Sequence, residues 1–219
     1  MTIEKDLVIL VADKDAELAL IELLRRTQAL GIRDINFDFY KHPNRDSGCF
    51  TNAHEFLRSF ANHYTHALVV LDKDGSGREG QATYSVENDL KQRLSANGWN
   101  ERAEVVVIEP ELEMWVWSDS PNVDSALGWD GRNPDLRGWL ISCNMISASR
   151  PKPADPKKVF ERALREAKKP KSASIFAELA HNVSFDRCTD SSFTKLKTVL
   201  RQWFGATATS STAIAEEKP

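Results

Sequence analysis

"HALVVLDKDGSG", residues 66–77, decides how the chain is read. Ala67 to Leu71 form a short, unbroken run rich in Val and Leu, the pattern of a strand covered on both faces. The run stops at two carboxylates, Asp72 and Asp74, one lysine apart, with Gly75 and Gly77 behind them as turn residues. Like charges at the end of a buried strand repel each other and cost free energy unless something positive meets them. An Asp-x-Asp in that place suits a hard divalent cation, because a turn at Gly75 can bring both carboxylates onto one ion. Read as plain turn residues, the same aspartates need no ligand. Other strand ends have to decide between the two.

Upstream, "LVILVA" (7–12) is a second buried-type run, and it ends at Asp13. The stretch that follows sets Leu18, Ile21 and Leu24 at helical spacing, with acids early, arginines late and Gly31 as a stop. Glu17, on the first turn of that helix, reads as a partner for the helix dipole in preference to the other reading its place allows, a metal ligand. "INFDFYKH" (35–42) alternates like an edge strand, and "TNAHEFLRSFANHY" (51–64) like a helix with Thr51 as its N-cap. Downstream, a helix over 83–97 precedes the strand "AEVVVIEP" (103–110). This order predicts an α/β fold with a mostly parallel central sheet flanked by helices and a C-terminal helical extension. Such sheets carry their chemistry at the carboxyl ends of the strands, where Asp13, Asp72, Asp74, Glu109, Glu111 and Glu113 all fall.

Beyond Pro121 turn residues and tryptophans mix without a period, and the six tryptophans fit core positions or base-stacking ones. A Pro- and Lys-rich stretch then leads into three helical patterns. We therefore expect a core over 1–150, a basic helical extension packing on it over 151–205, and a disordered tail over 206–219. Lys157 and Lys158 lie in the basic stretch, and with Lys73 and Arg78 they are candidates for contact with phosphate or nucleic acid.

Composition narrows the class. With 41% hydrophobic and 28% charged residues the chain reads as soluble and globular. A net charge of −3 gives no whole-protein attraction to polyanions, so contact with DNA or RNA needs a local basic patch. The 3 cysteines form no CxxC pair, and no secretory or membrane-spanning run is visible, so a cytoplasmic protein without membrane contact is expected. His54, His63, His66 and His181 lack zinc spacing, and there is no GxxxxGK[ST] loop.

Two other motifs share these letters. An EF-hand loop starting at Asp72 has its Gly at Gly77 but Thr83 where a bidentate Glu belongs. "VVLDKDGSG" also resembles haloacid-dehalogenase-like phosphatases, with Asp72 as nucleophile and Asp74 as acid/base, although that family carries the motif on its first strand. The arrangement as a whole, "VILVADKDAELALIELL", then "ALVVLDKDGSG", then "VVVIEPELEMWVW", resembles the TOPRIM superfamily, in particular small stand-alone OLD-nuclease-like proteins of bacterial defence or mobile elements. The resemblance covers about residues 5–117, with a weaker echo in "CTDSSFTKLKTVLRQWF".

The resemblance implies a nuclease that hydrolyses phosphodiesters with Mg²⁺ or Mn²⁺, in anti-phage defence. Its metal ligands would come from Asp72, Asp74, Glu111 and Glu113, and Asp13, Asp72, Asp74 and Glu113 would be catalytic. Partners would be DNA or RNA, with an ATPase or other defence-system subunit supplying regulation. One departure stands out: where the family places a catalytic Glu after its first strand, this chain has Ala12, with Asp13 one residue on. The alternative is accordingly a non-catalytic subunit or sensor on a degenerate TOPRIM scaffold.

Overall fold

The computed structural model describes residues 3–118, 120–185 and 187–205, so the tail expected over 206–219 lies outside the described residues. The chain runs β1 (Lys5–Val11), α1 (Lys14–Arg25), a one-turn α2 (Thr27–Leu30), β2 (Phe37–Lys41), α3 (Arg45–Arg58), β3 (Tyr64–Asp72), α4 (Thr83–Leu94) and β4 (Ala103–Ile108). Six helices follow: α5 (Glu113–Val116), α6 (Pro121–Ala126), α7 (Leu136–Ser142), α8 (Pro156–Ala167), α9 (Ala173–Asn182) and α10 (Ser191–Phe204). The last five occupy the region where the sequence pattern was weakest or most basic.

The four strands form one sheet in the order β2-β1-β3-β4, every neighbouring pair parallel. From β1 the chain steps outward to β2, then crosses back over β1 to β3 and continues to β4. Right-handed crossovers put α1 on one face and α3 and α4 on the other. The direction of winding reverses between β1 and β3, and that switch point opens a crevice at the carboxyl ends of both strands.

Period-two alternation feeds both faces. Leu7, Ile9, Val11, Leu68, Val70, Val106 and Ile108 enter one core, while Val8, Leu10, Ala67, Val69, Leu71, Val105 and Val107 enter the other. The first core is closed by α1 together with Phe160 of α8, Phe176 of α9 and Leu196 and Leu200 of α10. Residues 151–205 therefore share their hydrophobic core with the sheet. Among the described residues no helix is long and apolar enough to cross a membrane.

Helix α3 differs from the sequence expectation in a way that matters for the site. It starts at Arg45, with Asn44 at the N-cap, so Thr51 is an interior residue rather than the cap. The early start is possible because Gly48 leaves room for the buried His42 ring: a Cβ at Gly48 would lie 2.0 Å from His42 Nδ1 and 2.3 Å from Cε1. Those additional turns carry Asp46 toward the end of β3. Gly48→Ala sets a helix-propensity gain of about 1 kcal/mol against an overpacking cost of about 1–3 kcal/mol, at a contact too short to survive without movement. We expect a net loss of stability in urea denaturation, and we expect His42→Ala to recover part of it in the double variant.

Candidate functional site

Asp72 is the last residue of β3, its Cα paired with Ile108 of β4. Its backbone N–H donates to Asp46 Oδ1 at 2.8 Å, so a carboxylate from α3 lies directly over the strand end. Its own carboxyl has no hydrogen-bond donor among the described residues. Asp13 caps α1 from across the switch point, Oδ1 accepting from the N–H groups of Asp15 at 3.0 Å and Ala16 at 3.1 Å. Asp13, Asp46 and Asp72, with Ala12, Ala16 and Leu112, line a small cavity of about 10 Å³ at the foot of the crevice.

Next to it, sharing Asp13, Asp72 and Leu112, opens a cleft of about 310 Å³ whose lining mixes the acids Asp13, Asp15, Asp72 and Glu113 with the cations Lys14, Arg45, Lys157 and Lys171. Of the three glutamates after β4, Glu111 and Glu113 are buried, at 7% and 4% exposure. Glu111 is gripped twice by one residue: Oε1 accepts from the Lys157 backbone N–H at 3.0 Å and Oε2 from Lys157 Nζ at 3.2 Å. That backbone N–H belongs to the first turn of α8, whose positive end favours an anion. Glu113 has Lys171 Nζ at 3.8 Å, and Lys171 also holds Glu161 at 3.1 Å.

Crowding sets the protonation chemistry. Burial pushes the Asp72 carboxyl well above the usual aspartate range, and Asp46, Glu113, Asp13 and Glu111 push it further. Burial likewise raises Asp46, aided by Asp13 and opposed by the Asp72 N–H, and raises Glu113, aided by Glu111. Asp15 is raised by burial and by Asp13. For Lys157 burial pulls downward, but Glu111, Glu113 and Asp72 outweigh it and leave the ammonium raised.

The expected ligands are divided between two clefts. Asp72 and Glu113 face the one just described, together with Asp13, expected as catalytic, whereas Asp74 and Glu111 line its neighbour with Asp155, Lys157, Lys158 and Glu161. Lys157 forms part of the wall of both. Among the described residues no three His, Cys, Asp or Glu side chains are placed to hold a metal ion together. Two of the expected phosphate contacts stand elsewhere: Lys73 is buried with Nζ 2.7 Å from Glu109 Oε1, and Arg78 lies over the Phe50 ring at 4.7 Å. Glu109 also accepts from Thr83, and Glu17 is held by Lys14 and Lys41 at 2.9 Å each. The tryptophans serve packing, as with Trp99 donating to Leu57 O and Trp129 to Ala163 O from buried positions.

Asp46, Asp15, Arg45 and Lys171 were not singled out in the sequence. An acid in a helix's first turn is a recognised signal, and Asp46 carries it once Asn44 rather than Thr51 is taken as the cap. No family model, curated protein or solved structure matches this chain.

The raised carboxyl of Asp72 makes stability depend on pH. Its proton leaves the unfolded chain near the ordinary aspartate value of 3.8 but stays on the folded one to higher pH. Above that value the folded state binds more protons, so stability falls as pH rises toward the folded pKa and stays low beyond it. Asp72→Asn removes this penalty. We expect thermal denaturation to show the variant more stable than the parent at pH 7, with the advantage gone below about pH 4.

Proposed function

We propose that the chain is a divalent-metal-dependent phosphodiester hydrolase on a TOPRIM-like scaffold, working in the cleft at the carboxyl ends of β1 and β3. The observation that carries this reading is the Asp72 carboxyl, set at the topological switch point without a donor among the described residues and crowded by Asp46, Glu113 and Asp13. The donor set is all oxygen, which suits a hard cation, and Mg²⁺ commonly binds through one or two carboxylates with water completing its shell. Asp72 and Glu113, which line the same cleft, are the residues that would hold it, with water completing the shell. When bound, such an ion supplies Lewis acidity toward a phosphoryl oxygen and activates water.

The remaining roles belong to the chain. Asp13, with one oxygen engaged as a helix cap, has its other oxygen to accept a proton from the attacking water. Asp46 holds the Asp72 backbone and so fixes where β3 ends. Lys157 and Lys171, which line the same cleft, would offset charge developing on the phosphoryl group. A second reading, the non-catalytic subunit or sensor, is favoured by one observation: Asp74 opens into the neighbouring cleft, away from Asp72.

One set of measurements separates the two. With Mg²⁺ or Mn²⁺ added, the hydrolase reading expects cleavage of DNA or RNA that chelator abolishes and that Asp72→Asn and Glu113→Gln reduce by roughly 100-fold or more. It also expects the metal to raise the melting temperature of the parent and not of Asp72→Asn. Unchanged melting with metal, together with no cleavage of either nucleic acid, overturns it and leaves the binding subunit.

A further inference from the structure

Arg45 sits at φ +48°, a left-handed backbone that a long side chain rarely adopts. Its exposed guanidinium lines the Asp72 cleft and has no hydrogen-bond or ion-pair partner among the described residues. Lys157 and Lys171 reach the same cleft from α8 and the α8–α9 connection, where Glu111 and Glu113 respectively draw them inward. Lys14, the fourth cation of the cleft, is held by Glu17, as Lys157 is by Glu111 and Lys171 by Glu161, so that Arg45 is the cation of the cleft without an ion pair among the described residues. Arg45, Lys157 and Lys171 line one cleft together with Asp15.

We propose that Arg45, Lys157 and Lys171 form an anion subsite that takes a phosphate group of the substrate and holds it beside Asp13 and Asp72. The inference rests on the hydrolytic reading for its substrate class and names the residues that bind it. An anion entering this cleft meets four carboxylate-bearing wall residues as well. Phosphate suits it better than carboxylate because its several oxygens can take the guanidinium fork and two ammonium groups together. The subsite assigns to Arg45 and Lys171 the role that the sequence pointed toward in Lys73 and Arg78.

The test is binding in the presence of EDTA, so that its outcome is independent of cleavage. A fluorescently labelled single-stranded oligonucleotide is titrated by anisotropy over a salt series, with inorganic phosphate and a mononucleotide as competitors. Arg45→Gly removes the cation and relieves the backbone. We expect it to melt at or above the parent's temperature yet to bind the oligonucleotide roughly tenfold more weakly, with the dependence of log K on log salt shallower by about one. Lys171→Gln is expected to weaken binding in the same way.

If the parent instead binds inorganic phosphate and the mononucleotide as well as the oligomer, and Arg45→Gly weakens all three, the subsite stands and the ligand is a small phosphate ester. Both variants binding like the parent with an unchanged salt slope overturns the proposal, as does a parent that binds none of the probes. A parent that binds through Arg45 but never cleaves retains the subsite and removes the hydrolase. Metal-dependent cleavage with Arg45-independent binding does the reverse.

Discussion

The mutual repulsion of Asp13, Asp46, Asp72, Glu111 and Glu113 is the constraint around which the rest of the molecule is arranged. These residues come from separate segments, and each is delivered by an element that has another reason to be there. Asp13 starts a helix, Asp46 rides in the first turn of α3, Asp72 closes a strand buried on both faces, and the glutamates follow β4. Bringing such groups together in a partly dry place raises their proton affinity, and lysines from later in the chain, Lys157 against Glu111 and Lys171 against Glu113, offset part of that charge. The basic stretch is thus part of the site's electrostatic balance, although the net charge of the whole chain is only −3.

The sheet was readable because its signal is strong and local. Strands covered on both faces must be continuous apolar runs, and "LVILVA" and "ALVVL" admit few other readings. Asp13 and Asp72 were readable for the same reason, since each is the polar residue at which such a run ends. What the sequence hid depends on tertiary fit. The start of α3 turns on a glycine making room for a buried histidine ring, a contact between positions 42 and 48 that no periodicity carries. Moving that start by seven residues changes Asp46 from a loop residue into the group that holds the end of β3.

The division of Asp72 from Asp74 has a similar origin. Alternation along a strand puts residues two apart on one side, but β3 ends at Asp72, and the backbone beyond it is tied to the segment after β4: Lys73 N–H to Ile108 O and Asp74 N–H to Pro110 O. The turn follows β4 instead of folding back over the strand end. Lys73, which an exposed loop would offer to solvent, is drawn under Glu109 by the same course of the chain. Among the lysines of the basic stretch, nothing in spacing distinguished Lys171 from its neighbours, or separated Lys157 from Lys158 beside it. Their place is set by two buried glutamates some forty to sixty residues earlier, and those pairings arise only in the folded molecule.

Because α8, α9 and α10 close one of the two cores and also bring the lysines, a growing chain on the ribosome would make every acid of the cleft before the first of its cationic partners on α8 emerges. Until then β1 and β3 would show an uncovered apolar face alongside a concentration of negative charge. That charge works against association between nascent copies through their bare sheets, and it vanishes as a hazard to folding once the final helices arrive.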